Sequence, residues 1–230
     1  MIKYINGTVF NTDAMAIVNT VNCQGFMGGG IALEYKLRYP LMFQDYKSKC
    51  EKHLIKTGKV DYYKDNEVII INFPTKNLYQ YPSQIKWIEE GLKDFVKTYK
   101  LHNIESVAFP KLGTANGKLN WNNVKNIMEK YLNNLDIPIY ICLDEEKIAQ
   151  GKEKEMLDYF NKINLSELSQ HIKLTQKQKD NLAKKRPYSR FWHISKTPAI
   201  GNTTYNNLFQ YFYKKKSTQT KLFNIPTIYN

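Results

Sequence analysis

The chain has 230 residues, of which 42% are hydrophobic and 13% aromatic, so it can bury a core and is not disordered throughout. It lacks both an apolar run of the ~20 residues that a membrane helix needs and a signal-peptide pattern, which predicts a cytoplasmic protein with no membrane partner. Residues 1–149 hold 19 Lys and Arg against 16 Asp and Glu, whereas residues 150–230 hold 15 against 5, so most of the formal charge of +13 lies in the second segment.

The first part of the chain predicts strands and helices in alternation. A short strand at residues 3–6 is followed by a nearly continuous apolar strand at residues 14–20, as expected of an interior strand covered on both faces. A glycine-rich loop then leads into a helix at residues 31–39, which Pro40 ends. A second helix is predicted at residues 41–54.

The middle of the chain continues this alternation. Two strands, at residues 60–63 and 68–73, flank a polar turn at residues 64–67 and predict a hairpin. The clearest helix spans residues 82–101, with Ser83 as its expected cap. A strand, a helix and a last strand follow at residues 104–109, 121–132 and 137–143. This order predicts a layered α/β domain with a largely parallel or mixed sheet.

A strand, a loop with four glycines and a helix start succeed one another over residues 18–32. Glycine permits positive φ and close approach to a ligand, and the N–H groups of a helix N-terminus favour phosphate. Asn22 offers an amide that suits ribose hydroxyls or a water molecule. A tight turn without any ligand explains the same pattern.

Lys76 is the most informative ionisable residue, because it directly follows an apolar strand and Pro74. Residues 110–118 form a second glycine-containing loop after another strand. Ligands of open α/β sheets bind beyond the carboxyl ends of the strands, where all these features are expected to lie. A lysine there can neutralise a diphosphate, polarise a departing group or attack a sugar carbon. The alternative is an ordinary surface lysine.

After residue 146 the alternation of strands and helices ends and the basic second segment begins. Short helices are expected, with breaks near Asn164 and Lys173, followed by a helix at residues 205–216 and irregular final residues. Residues 183–193 interleave cations with aromatic rings, which is typical of single-strand nucleic-acid binding. The alternative is a small separate core whose basic residues face water.

The sequence predicts neither a metal site nor a cofactor. Its three cysteines contain no C-x-x-C pair, and its four histidines show no metal-ligand spacing. No Ser-His-Asp pattern is present either.

Three ordered blocks resemble a macrodomain, and more closely its DarG branch. They are residues 18–32, 72–76 and 108–121, which read VNTVNCQGFMGGGIA, NFPTK and AFPKLGTANGKLNW. The resemblance implies a three-layer α/β/α macrodomain with a mixed sheet at residues 1–148. A small, mainly helical, basic region at residues 149–230 would follow it and contact DNA or a toxin.

The resemblance also implies roles for individual residues. Lys76 and Asn22 are expected to be catalytic, with Lys76 acting at the anomeric carbon and Asn22 contacting the distal ribose. The residues expected to contact ADP-ribose are Thr8, Val9, Asn19, Gly28, Gly29, Gly30, Ile31, Leu112, Gly113, Thr114, Ala115, Asn116 and Gly117.

The activity implied by the resemblance is that of an ADP-ribosyl glycohydrolase. Such an enzyme removes ADP-ribose from thymidine bases in single-stranded DNA and acts as the antitoxin to a DarT-like toxin. The implied partners are ADP-ribose, ADP-ribosylated single-stranded DNA and a DarT-like toxin. The alternatives are a protein ADP-ribose hydrolase or an O-acetyl-ADP-ribose deacetylase of the same fold, and a non-catalytic ADP-ribose-binding module.

The sequence departs from the family pattern at several positions. Thr8 stands where many macrodomains carry an adenine-binding Asp, so other groups must hold adenine. Gly117 stands where the related human enzyme pairs its lysine with an Asp, which favours direct hydrolysis over a covalent lysine adduct. Gly29 replaces a lysine common in DarG-like loops, which weakens the expected grip on the distal side. Residues 114–116 replace frequent glycines and leave that loop less backbone freedom.

Overall fold

The computed structural model describes residues 1–66 and 68–223, and the chain divides into two compact units between Glu145 and Glu146. The first unit contains a single six-stranded sheet in the order β1-β6-β5-β2-β4-β3. Its strands are β1 (Ile2–Ile5), β2 (Ala16–Val21), β3 (Asp61–Asp65), β4 (Val68–Pro74), β5 (Val107–Pro110) and β6 (Ile139–Cys142). Only the edge strand β3 runs antiparallel to its neighbour.

Four α-helices flank this sheet. They are α1 (Gly30–Arg38), α2 (Pro40–Glu51), α3 (Ile85–Thr98) and α4 (Trp121–Leu132), and single turns of 3-10 helix occupy Val9–Asn11 and Tyr99–His102. The mixed sheet covered by helices confirms the predicted fold class.

Two local predictions need correction. Ser83 does not cap α3, because the helix begins two residues later and Gln84 is its N-cap. The hairpin turn is shorter than predicted, since Asp65 pairs with Val68 and extends the ladder into the polar cluster. Glu67, the last residue of the predicted turn, lies outside the described residues.

Strand β2 lies in the interior of the sheet and packs on both faces. Ala16 and Val18 belong to the core that includes Phe95 and Phe109, whereas Ile17 and Val21 belong to the core that includes Tyr46. This two-sided burial explains why the sequence of β2 is almost continuously apolar.

The second unit is helical. It contains α5 (Gly151–Lys162), α6 (Leu165–Leu168), α7 (Gln176–Lys185), a 3-10 segment (Phe191–Lys196) and α8 (Asn202–Phe223). Its core is rich in aromatic side chains, with the Phe160 ring 5.6 Å from Tyr188 and 5.4 Å from Phe212 between centroids. Helix α8 extends beyond residue 216, where the predicted helix ends; residues 224–230 of the predicted irregular end lie outside the described residues.

Several of the cation and aromatic side chains of residues 183–193 build this core, whereas Lys184, Lys185 and Trp192 are exposed. Tyr188 and Phe191 are buried, and the guanidinium of Arg186 lies 4.5 Å from the centroid of the Phe160 ring. Arg190 is also buried and forms an ion pair with Glu153 at 3.1 Å. The prediction of a stacking surface for bases is therefore wrong for Tyr188 and Phe191, because their rings are needed to fill the core.

Within the described residues, no helix is both long and apolar enough to cross a membrane. The same residues contain no group of three or more His, Cys, Asp or Glu side chains arranged to hold a metal ion.

Candidate functional site

Three chain segments meet at the carboxyl edge of the sheet because their strands are neighbours. Strand β2 pairs in parallel with both β4 and β5, so the residues that follow these strands leave the sheet side by side. The carbonyl of Val21 accepts hydrogen bonds from the backbone N–H groups of Thr75 at 3.0 Å and Lys76 at 3.4 Å. The N–H of Cys23 donates to the carbonyl of Asn77 at 3.0 Å. The three predicted parts of the site are thus brought to one edge.

Asn22 organises the first loop, which spans residues 22–30. Its Nδ2 donates to the carbonyl of Phe26 at 2.7 Å, and its Oδ1 accepts from the N–H of Gln24 at 2.9 Å. The hydroxyl of Tyr46, from α2, donates to the carbonyl of Asn22 at 2.7 Å. Asn22 is buried at 7% exposure. Its side chain therefore sets the loop shape, and its predicted contact with ribose stays a prediction.

The glycines of the first loop differ in how much room surrounds them. A Cβ atom added to Gly28 or Gly29 would meet no heavy atom within 4 Å. Gly30 has φ +58°, and a Cβ atom there would lie 3.1 Å from Nδ2 of Asn116 in the second loop. Gly30 is also the first residue of α1, and Ile31 follows it, so unpaired helix N–H groups face the gap between the two loops.

The second loop, residues 111–118, is closed by contacts with itself and with Ser83. Gly113 has φ +66° and its carbonyl accepts from the N–H of Leu119 at 3.1 Å. The N–H of Ser83 donates to the carbonyl of Gly117 at 2.9 Å. A Cβ atom on Gly117 would collide with the Gly113 carbonyl oxygen and with Oγ of Ser83. A glycine at position 117 is therefore a packing requirement.

The second loop presents its tip rather than its ends. Leu112, Gly113 and Gly117 are buried, whereas Ala115 and Asn116 are exposed. The side chain of Leu112 belongs to the hydrophobic core, so its predicted ligand contact is restricted to its backbone. The half-buried Thr114 donates its hydroxyl proton to the carbonyl of Lys111 at 3.1 Å.

Lys76 leaves the sheet beside the first loop, because its strand β4 pairs with β2. Its Nζ donates to the carbonyl of Tyr79 at 3.2 Å. Partial burial lowers the pKa of Lys76 below its usual value, and the positive charge of Lys118 lowers this pKa further. The other lysine of the second loop, Lys111, forms an ion pair with Glu145 at 3.1 Å. Lys76 and Lys118 are thus the cations that influence each other at this edge.

The side chains of Val9 and Asn19 are both buried in the structure. Val9 is 1% exposed and packs in the core, so only its backbone remains for a ligand. Asn19 is completely buried, and its Nδ2 donates to Oδ1 of Asn72 at 3.1 Å. The same Nδ2 also lies 3.9 Å from the sulfur of Met27 in the first loop, and the predicted contact of Asn19 with ADP-ribose stays a prediction. Thr8 is half-buried, and its hydroxyl donates to Oδ1 of Asn11 at 2.7 Å.

Several supporting residues were not found by sequence reasoning. Asn72 lies opposite Asn19 in the ladder and donates to Oδ2 of Asp61 at 3.2 Å, and Oδ1 of Asp61 accepts from Lys49 at 2.7 Å. The sequence did contain a signal for this pair, because each of two otherwise apolar strands carries one asparagine. Ser83 and Tyr46 gave no such signal, because each contacts a loop far away in the sequence.

Known proteins match this chain in sequence and in fold. The sequence model of the Macro domain family matches residues 18–128, which include all three segments of the site. A Mycobacterium tuberculosis protein named DNA ADP-ribosyl glycohydrolase is 40% identical over 160 residues, which are 66% of this chain and 46% of that protein. The chain thus spans about half the length of this curated relative.

Two solved structures extend the comparison. The macrodomain of Mycobacterium tuberculosis DarG is 39% identical with a TM-score of 0.61, and the match covers 62% of this chain and 97% of that one. Thermosipho africanus DarTG in complex with ADP-ribose is 32% identical with a TM-score of 0.60, and the match covers 64% of this chain and 43% of that one.

The packing of the second loop predicts unequal effects of two glycine substitutions. Gly117→Ala should lower the free energy of unfolding by about 1–3 kcal/mol, because the added methyl group overpacks the loop. Gly28→Ala, the matched control, adds the same methyl group to open space and should change it by less than about 1 kcal/mol. Urea denaturation of both variants measures this difference; equal unfolding midpoints would contradict the packing argument.

Proposed function

This chain belongs to the macrodomain family, in its DarG branch, and from that premise we propose that it hydrolyses the N-glycosidic bond between ADP-ribose and thymine in single-stranded DNA. The reaction reverses the modification made by a DarT-like toxin. The observation that carries the proposal is the position of Lys76, which leaves the sheet beside the first loop, is influenced by Lys118 of the second loop and has a pKa lowered mainly by burial. The Mycobacterium tuberculosis relative is named for this activity.

The two loops hold the diphosphate. The N–H groups at the start of α1 carry partial positive charge, and the positive φ of Gly30 turns the first loop toward the second. The exposed tip at Ala115 and Asn116 closes over the other side. Binding of the diphosphate orients the distal ribose, so that binding energy from a remote group positions the reacting carbon.

Lys76 acts on the leaving base. As the bond to thymine breaks, positive charge develops on the sugar carbon and negative charge on the base. The protonated Nζ of Lys76 stabilises or protonates that base, while water attacks the anomeric carbon. One amide hydrogen of Asn22 is committed to the Phe26 carbonyl, and the other positions the ribose and the attacking water.

The second unit supplies a further contact with DNA or with a DarT-like toxin. The positive charge of this part of the chain supports the proposed contact, because residues 150–230 hold 15 Lys and Arg against 5 Asp and Glu. The lysines of α7 contribute to this, with Lys177 and Lys184 exposed and two helical turns apart on one side of the helix.

Replacing Lys76 tests the catalytic proposal. Lys76→Ala should lower kcat by about 100- to 1,000-fold, the typical loss of one transition-state electrostatic contact, while ADP-ribose binding changes little. Release of free ADP-ribose and restored thymine from an ADP-ribosylated oligonucleotide measures turnover, and calorimetry measures binding. Lys97→Ala is the control, because Lys97 is an exposed lysine of α3. Cleavage by Lys76→Ala at the native rate would show that Lys76 is not catalytic.

The same assay distinguishes the alternatives of this fold. The native protein should act faster on the oligonucleotide than on ADP-ribosylated protein or O-acetyl-ADP-ribose. Preference for either of those substrates would replace the proposed reaction, and binding of ADP-ribose without turnover of any conjugate would indicate a reader.

The pH dependence of kcat tests the charge of Lys76. Burial and, to a smaller extent, the charge of Lys118 lower the pKa of Lys76, so removing the charge of Lys118 raises that pKa and extends the protonated range to higher pH. Lys118→Asn should therefore move the alkaline limb of the profile upward; Asn tolerates the positive φ of +61° at this position. Lys97→Asn, the control, should leave the limb in place. An unmoved limb in Lys118→Asn would contradict a role for protonated Lys76.

Salt dependence tests the second unit. If Lys177 and Lys184 neutralise phosphates, the double variant to Gln should reduce the slope of log affinity against log salt by about 0.7 per lost contact. Fluorescence anisotropy of a labelled single-stranded oligonucleotide, measured at several salt concentrations from about 50 to about 200 mM, gives this slope. Lys47 and Lys52, two exposed lysines of the first unit, provide the control pair. Binding that is independent of salt would exclude phosphate contact and favour the toxin as partner.

A further inference from the structure

Exposed aromatic rings occur in the first loop and in the segment that follows Lys76. Phe26 of the first loop is 55% exposed, and Tyr79 and Tyr81, which follow Lys76 in the chain, are 50% and 60% exposed. Large apolar rings at this exposure, concentrated around one candidate catalytic residue, are typical of a binding surface.

Two of these rings are held in place by the site itself. The rings of Phe26 and Tyr79 lie 4.8 Å apart between centroids. The N–H of Tyr79 donates to Oε1 of Gln24 at 2.9 Å, and the Tyr79 carbonyl accepts from Nζ of Lys76 at 3.2 Å. Phe26 is fixed in turn by the amide of Asn22. The ring pair is therefore coupled directly to the two residues proposed to be catalytic.

A cavity of about 450 Å³ continues this surface beyond Lys76. Leu78, Tyr81, Pro82 and Trp87 give it apolar walls, and Asn77 and Gln84 place amides on its rim. This volume is within the range of pockets that hold drug-sized ligands, about 300–1,000 Å³. Among the described residues, no charged side chain lines the cavity. Flat rings with a few amides suit a nucleobase, which has a π-face and a hydrogen-bonding edge.

Positive charge lies next to the rings. Partial burial lowers the pKa of Lys76, and the positive charge of Lys118 lowers this pKa further. Lys86, in the first turn of α3, has a side chain that is 75% exposed and forms an ion pair with Glu90 at 3.7 Å. Cations at the border of an aromatic surface match a strand that offers phosphates beside bases.

We propose that Phe26, Tyr79, Tyr81 and the adjacent cavity form a platform on which unmodified bases flanking the ADP-ribosylated thymidine stack. This inference rests on the proposed function and adds a substrate-specificity site to it. Bases are free to stack on protein rings only when they are not paired, so the platform selects single-stranded DNA. It also distinguishes an oligonucleotide from an isolated modified nucleoside, which has no flanking base.

Steady-state kinetics on two substrates test the platform. One substrate is ADP-ribosylated thymidine as a free nucleoside, and the other is an oligonucleotide with bases on both sides of the modified thymidine. Tyr81→Ala and Tyr79→Ala should each raise KM for the oligonucleotide by about 5-fold or more, the smallest effect expected for one lost base stack. The kcat/KM of Tyr81→Ala for the nucleoside should equal that of the native protein.

Two control variants separate stacking from general damage. Tyr81→Phe keeps the ring and should retain the native KM for the oligonucleotide. Leu101→Ala removes another exposed apolar side chain of the first unit, 77% exposed, and should change neither substrate. Thermal unfolding midpoints of all variants, compared with that of the native protein, establish that each remains folded.

The outcomes separate failure of the platform from failure of the proposed function. If the native protein cleaves both substrates but Tyr81→Ala and Tyr79→Ala weaken both equally or neither, the platform is wrong and the glycohydrolase proposal stands. If the native protein cleaves neither substrate, the proposed function is wrong. The platform is then tested by the binding of an unmodified single-stranded oligonucleotide, measured by fluorescence anisotropy. If Tyr81→Ala and Tyr79→Ala do not weaken this binding, the platform is wrong as well. If the variants weaken cleavage of an ADP-ribosylated peptide as much as that of the oligonucleotide, the surface binds a polypeptide, which overturns the proposal.

Discussion

The carbonyl of Val21 is the contact on which the candidate site depends. As the last residue of β2, it accepts hydrogen bonds from the N–H groups of both Thr75 and Lys76, at 3.0 Å and 3.4 Å. This pairing places the lysine beside the loop that begins at Asn22. A slip of β2 by one residue would exchange the faces of every side chain, moving Ala16 and Val18 out of the core in which they pack and Ile17 into the opposite one. The burial of β2 on both sides therefore fixes where Lys76 lies.

A polar row crosses the sheet beneath this contact. It runs from Asn19 through Asn72 and Asp61 to Lys49, with donor–acceptor distances of 3.1, 3.2 and 2.7 Å. Asn19 and Asn72 face each other in the ladder, so their hydrogen bond forms only in this register. Such buried bonds are costly when one partner is missing. The row thus helps to exclude alternative alignments of β2 and β4 while leaving the reacting groups untouched.

The sequence predicts the strands, the two glycine loops and Lys76, because period and position along the chain carry that information. It does not predict Ser83 as a support for the second loop, since the N–H of Ser83 donates to the carbonyl of Gly117, a residue 34 positions further along the chain. It also misplaces Tyr188 and Phe191, whose composition matches a stacking surface while their burial is decided by the helices around them. The sequence pattern shows which interactions a side chain is able to make, whereas tertiary packing decides which part of that side chain remains accessible to a ligand.

The contrast between the two loops separates an adjustable wall of the cleft from a fixed one. Around Gly28 and Gly29 there is open space, so a side chain can be added there without moving any neighbour. Gly117 has no such freedom, because Ser83 and Gly113 already occupy the volume that a Cβ atom needs. Natural sequence variation in this fold is therefore expected to alter how tightly the phosphates are held mainly through the first loop, one side chain at a time. The second loop would keep the same geometry in each variant, so that differences in phosphate binding would reflect the side chain added to the first loop.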